Sequence, residues 1–201
     1  RQMCIRDRSG GFSTHDSSIA YYDSYIVETI IIFFMFFAGV NFTLIWLAWE
    51  RQWDKIFSDQ EGRSYVAVIL VTTTFVFFAL ISQGSSIDEG IFDSLFTVIS
   101  IGTSTGYTNS DYMLWPVVTH ILLFLLMIVG ACAGSTSGGL KLMRVTLALK
   151  VAWREIGRIA QPKRIFRIRM NGEVVENERL GLIVGMLFVW TGLFAISCIV
   201  L

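Results

Sequence analysis

Two runs of this chain concentrate small residues and oxygen donors: Gly102-Thr103-Ser104-Thr105-Gly106, and the stretch 130–139, GACAGSTSGG. Neither holds a carboxylate, an imidazole or an amine. What they offer is main-chain carbonyls and hydroxyls, neutral ligands that can replace the hydration shell of a cation. Glycine adds backbone angles that other residues resist. A shorter run, Gly10-Gly11-Phe12-Ser13-Thr14-His15-Asp16, repeats part of the pattern. Gly11 aligns with Gly106, Phe12 with Tyr107, Ser13 with Thr108 and Asp16 with Asp111. Transport proteins are often built from such repeats around a shared site.

Other chemistries lack a complete set of residues. His15-Asp16 could pair for acid–base work, but no nucleophile or metal cluster accompanies it, and a loop histidine is the simpler reading. His120 falls in the first turns of an apolar run, where it can bond across helices. Cys4, Cys132 and Cys198 have no metal-type spacing, and the latter two sit in apolar surroundings as free buried thiols. The run GSTSGGLK fails as a phosphate loop, because the lysine does not directly follow the last glycine and no strand precedes it. Asp16 and Asp111 can either concentrate cations at an outer mouth or cap the helices that follow them.

The elements that must hold these loops are membrane helices. The chain of 201 residues is 54% apolar and only 16% charged, whereas soluble domains carry about a quarter charged residues. Mean hydropathy is +0.61. The composition predicts an all-α polytopic membrane protein. Tyr25 to Trp49 reads as a first full span, with Gly39 and Asn41 interrupting its apolar face and Trp46 and Trp49 suited to the interface. Glu50 to Arg63 is a polar connection, and Ser64 to Ser82 a second span whose Thr72-Thr73-Thr74 back-bonds to the helix. Ile91 to Ile101 is too short to cross a bilayer, which needs roughly 20 residues. It reads as a re-entrant half-helix ending in the glycine run, whose uncommitted carbonyls survive at membrane depth only inside protein or along a water-filled path. Its partly negative C-terminal end would face the site. Pro116 opens a third span, apolar over 117–129 and broken over 130–139, because glycine, serine and threonine disfavour helix. Lys141 to Gln161 is a basic helix, residues 164–175 a hairpin turning on Asn171-Gly172, and Leu180 to Leu201 a last apolar run.

The stretch FTVISIGTSTGYTNSDYMLWP, followed by GACAGSTSGGLK, resembles the membrane subunit of Trk/Ktr-type potassium transporters, close to the TrkH branch. The resemblance covers nearly everything from Gly10 onward. It implies four helix–loop–helix units around one pore, with potassium coordinated by backbone groups near each repeat glycine: here Ser104, Thr105 and Gly106, with Gly10 and Gly11 from the preceding unit. Ser104 stands where threonine is common in the family, and Ser9 where an apolar residue is usual. The broken stretch, through Gly130, Gly134, Ser135, Thr136, Ser137, Gly138 and Gly139, would gate the path below the filter. The resemblance divides the chain into the end of repeat 2 (10–49), a cytoplasmic loop (50–63), a complete repeat 3 (64–140), a basic cytoplasmic segment (141–179) and the truncated start of repeat 4 (180–201). Residues 1–9 lack the apolar pore-helix sequence expected there and read as foreign or misread. The chain thus reads as a fragment that cannot form the pore alone.

Net charge is zero, yet Lys and Arg are absent between Arg8 and Arg51 and between Arg63 and Lys141. By the positive-inside bias, 50–63 and 141–179 face the cytoplasm and the glycine loops face outward. The basic segment would also attract anionic lipid. The resemblance implies a homodimer in the bacterial inner membrane, a cytosolic nucleotide-binding regulatory subunit of the TrkA/KtrA kind, no nucleic acid partner, no enzymatic activity and no cofactor, with potassium as the transported ion. The alternatives from the residues themselves are a non-transporting membrane scaffold or receptor and, more remotely, an intramembrane enzyme using His15 and Asp16.

Overall fold

The structure, a computed structural model, describes residues 10–15, 17–22, 24–160, 168–171 and 173–200. The readings of residues 1–9, Asp16 and most of the first hairpin arm fall outside the described residues. The chain divides into two compact units, Arg1–Leu142 and Met143–Leu201.

In the first unit a 3₁₀ turn at Ser18–Tyr22 leads to α1 (Tyr25–Gly39), α2 (Phe42–Trp49), α3 (Trp53–Ser58), α4 (Gln60–Ser82), α5 (Ile87–Gly102) and α6 (Val117–Val129). The single span expected over Tyr25 to Trp49 is not one helix. It breaks after Gly39, and α1 and α2 diverge by 103°. Val40 is extended, and the Asn41 carboxamide oxygen takes the Thr43 N–H at 3.0 Å to cap α2. The Phe42 N–H goes to the carbonyl of Gly134 at 3.3 Å. Both halves are apolar, so hydropathy alone is blind to the break.

Helix α4 starts at Gln60 rather than Ser64, because the Asp59 carboxylate caps it through the Gly62 N–H at 2.7 Å. Thr72 and Thr74 bond back to the carbonyls of Val68 and Leu70, both at 2.7 Å, as the threonine run predicts. Helix α5 starts at Ile87 rather than Ile91, with Asp88 and Glu89 in its first turn. Carboxylates suit that partly positive helix end.

By rise per residue α4 is about 34 Å long and α5 only about 24 Å. The start of α5 packs on the end of α4, with Gly90 against Phe77 and Ile81. Gly39 abuts both Tyr65 of α4 and Thr103 just past α5. The end of α5 therefore stops within the thickness that α4 spans. Val76, Phe96, Val98, Leu123 and Leu126 form the core that joins α4, α5 and α6.

The second unit contains α7 (Leu142–Ala160, its first residue at the boundary), β1 (Arg169–Met170), β2 (Glu173–Val174) and α8 (Asn177–Val200). The strands pair antiparallel, Met170 opposite Glu173, with Asn171 at φ +48° in the turn. The hairpin expected there is present but only two residues deep on each arm. Leu147, Ile168, Met170 and Leu180 make a small separate core. Among the described residues, α4 and residues 178–197 of α8 are each long and apolar enough to cross a membrane, and the bent α1–α2 pair would add a third.

Candidate functional site

Helix α5 ends at Gly102, and the chain then runs back beside it. The N–H groups of Thr105 and Gly106 donate to the Ser100 carbonyl at 2.8 and 3.3 Å. The Ser100 hydroxyl donates to the Tyr107 carbonyl at 2.7 Å. By Asn109 the chain has climbed to the second turn of α5, where the Asn109 amide donates to the Asp93 carboxylate at 2.8 Å. The chain thus doubles back on itself: a helix in, irregular chain out. Its N–H groups point back at the helix end. Among the described residues no group donates to the carbonyls of Ser104, Thr105 or Gly106.

Ser104 and Gly106 have φ of +57° and +82°, so the loop alternates out of the ordinary extended backbone at these two positions. Left-handed backbone at Ser104 costs about 1–2 kcal/mol relative to its relaxed form, a local strain of the sort that collects at functional loops. Thr105 is buried and its hydroxyl shares a 2.8 Å bond with that of Thr103. Ser104 and Gly106 are exposed. A cavity of about 440 Å³ reaches them, lined also by Ser100, Tyr112, His120 and Phe124.

The other glycine run packs straight onto this loop. A Cβ on Gly11 would collide with the Thr105 carbonyl, and Gly11 itself has φ +56°. Just beyond, the N–H groups of Ile19 and Ala20 donate to the Thr108 carbonyl at 3.1 and 3.3 Å. Thr108 N–H in turn donates to the Ser18 hydroxyl at 3.3 Å. The two segments aligned by sequence therefore meet in space, glycine against glycine loop. Gly10 is exposed beside them.

The stretch 130–141 leaves helix at the end of α6, with Gly130, Gly139 and Lys141 at φ +68°, +84° and +71°. It lies against the break between α1 and α2. Cys132 N–H donates to Gly39 O at 3.2 Å, Thr136 N–H and hydroxyl to Ala38 O at 3.4 and 3.2 Å. Gly134 is pressed so close to the Asn41 carboxamide that no larger residue fits. The Ser137 hydroxyl takes the Ala131 N–H at 3.1 Å, and that of Ser135 donates to Cys132 O at 2.6 Å. A Cβ on Gly138 would stand 3.5 Å from the Ser104 hydroxyl, so this stretch touches the loop after α5.

Three residues here carry more than their sequence context signals. Glu61, placed by sequence in a polar connection, is 5% exposed and accepts the Ala133 N–H and the Asn41 amide. Lys141 turns its ammonium onto the carbonyls of Ser135 and Ser137. Asn41 joins the break to Glu61 and to Gly134. The only sequence signal for Glu61 is its place two residues after a helix-capping aspartate.

Asp111 is exposed and caps the 3₁₀ turn Tyr112–Leu114 through the Met113 N–H at 3.1 Å. Its capping role, one of the two expected, accounts for its position. His15 stacks on Tyr21 with ring centroids 3.6 Å apart, as a loop histidine would. His120 Nε2 lies 2.9 Å from the Tyr112 carbonyl. Cys132 is a free, fully buried thiol. Among the described residues no group of three or more His, Cys, Asp or Glu side chains could hold a metal ion.

Comparison with known proteins gives one consistent result. A family model described as TrkH, cation transport protein, matches residues 8–201. The Trk system potassium uptake protein TrkH of Halomonas elongata is 36% identical over 165 residues, which is 81% of this chain and 34% of that protein. The Escherichia coli K12 protein of the same description is 31% identical over 193 residues, 94% of this chain and 40% of that one. The crystal structure of the potassium transporter TrkH from Vibrio parahaemolyticus superposes with a TM-score of 0.87 at 29% identity, covering 94% of this chain and 41% of that chain. The chain spans well under half the length of these relatives.

Proposed function

The chain belongs to the TrkH family of cation transport proteins, a family of transporters rather than enzymes, and from that premise we propose that it forms part of a potassium-uptake path through the bacterial inner membrane. Residues 10–49 are the end of one helix–loop–helix unit, 64–140 a complete unit, and 180–201 the outer helix of the next. Residues 50–63 and 141–179 face the cytoplasm. Ser104, Thr105 and Gly106, with Gly10 and Gly11, coordinate dehydrated potassium through main-chain oxygens. The stretch 130–139 closes the path beneath them.

One observation carries this reading: two glycine loops meet with left-handed backbone and, among the described residues, with the carbonyls of Ser104, Thr105 and Gly106 uncommitted. Carbonyls withheld from every internal donor and brought together are what a dehydrated cation requires. Two loops supply half of a four-sided ring. The remaining ligands come from units beyond this chain, consistent with its spanning 40% of the Escherichia coli relative. The full-length transporter pairs as a homodimer and binds a nucleotide-binding regulatory subunit of the TrkA/KtrA kind on its basic face, where anionic lipid also gathers.

The test is rubidium uptake by the full-length transporter in cells lacking their own potassium uptake systems. Gly106→Asp, which puts a side chain and a carboxylate at a left-handed position, abolishes uptake while the protein still reaches the membrane. Uptake unchanged in that variant refutes the filter assignment.

A further inference from the structure

Glu61 has no place in the ion path as proposed, yet it is a buried carboxylate, 5% exposed. Among the described residues no lysine or arginine lies within ion-pair distance of it. Burying a charge without a counter-ion is expensive unless its oxygens are well bonded. Both are. One accepts the main-chain N–H of Ala133, in the middle of the stretch 130–141. The other accepts the Asn41 amide at 3.4 Å. Asn41 in turn caps α2 through Thr43 N–H and packs against Gly134. One side chain on α4 thus ties together the break between α1 and α2 and the break after α6.

Resting on the gate reading above, we infer that Glu61 is the positioning residue that holds the stretch 130–141 closed across the path. The glycines of that stretch resist movement weakly by themselves, since they carry no side chains to interlock. Its position is set by what its N–H and carbonyl groups bond to. On its α1 side these bonds are neutral: Cys132 to Gly39, Thr136 to Ala38, Gly134 to Phe42. On its α4 side the bond is to a side chain, that of Glu61. Removing that acceptor oxygen frees the first half of the stretch, where Cys132 sits.

Cys132 makes the position readable without transport. Its thiol is fully buried and adjoins Ala133. In full-length transporter whose other cysteines are replaced by serine, an aqueous maleimide labels Cys132 slowly. Glu61→Ala raises the labelling rate tenfold or more and raises the maximal rate of rubidium uptake, while the rubidium KM stays within twofold. Glu61→Gln still offers an oxygen to Ala133 N–H and restores most of the protection. The inference falls if Glu61→Ala labels no faster than the parent, or if Glu61→Gln restores nothing. It also falls if faster labelling comes with a lost rubidium KM, which marks a general fold defect. Failure of Gly106→Asp to block uptake would instead sink the filter reading, and the labelling result distinguishes the two.

Discussion

The junction of the two glycine loops and the junction of the two helix breaks are made from the same few residue types, and they use their backbone groups in opposite ways. At the first, the carbonyls of Ser104, Thr105 and Gly106 accept nothing among the described residues, and contact is made by shape, Gly11 against the Thr105 carbonyl. At the second, the carbonyls of Ala131, Cys132, Gly134, Ser135, Ser137 and Gly138 each accept a bond. A cation entering the first, as proposed, would meet uncommitted ligands. At the second it would have to compete with Leu142, Ser135, Phe42, Lys141 and Ser137 for those oxygens. Glycine, serine and threonine content therefore does not by itself separate a ligand ring from a closure. The accounting of N–H donors does.

Substitutions at the two junctions sharpen that contrast. The largest effect belongs to Gly11→Ala. It combines a left-handed backbone with a Cβ inside the Thr105 carbonyl, for roughly 2–5 kcal/mol from strain and overpacking together. Gly106→Ala has the same backbone penalty but open space around its Cβ, for about 1–2 kcal/mol. Rubidium uptake should fall much further in the first than in the second. Equal losses would mean that the loops do not meet as described. Cys132 labelling should be unchanged in both, because the second junction is untouched.

Asn41→Ala acts only at the second junction. It removes the cap of α2, a loss of about 0.5–2 kcal/mol, and one of the two partners of Glu61. We expect a lower thermal midpoint for the purified transporter and faster Cys132 labelling, with the rubidium KM unaltered. A shifted KM would show that the two junctions are coupled and weaken the comparison. The smallest effect is expected at Asp111, which is exposed and caps a single turn. Asp111→Asn keeps that cap, so stability should change by less than about 0.5 kcal/mol. Uptake measured at low potassium then isolates the charge: a fall of several-fold would assign Asp111 to the mouth, and no change leaves it a cap.

Several features were legible from residue order because they depend on local chemistry. Gly130 to Gly139 cannot sustain a helix in any surroundings, and α6 ends at Val129. The alignment of Gly11 with Gly106 predicted a structural pair, and both are left-handed. The half-helix was legible from its length, although it starts a turn earlier than hydropathy alone suggests, with Asp88 and Glu89 in its first turn.

What the sequence by itself determined, then, is where regular backbone fails, because that depends on glycine, proline and capping side chains within a few residues. It also determined that apolar helices flank those failures. Which partner satisfies each broken backbone group was decided only by the tertiary structure. The bend between Gly39 and Phe42 exists because Gly134 and Cys132, far along the chain, supply the missing hydrogen bonds. Glu61 is buried because Ala133 and Asn41 arrive from elsewhere to bond it. A polar group's cost or use inside a membrane protein is set by its neighbours in space, and residue order alone does not contain them.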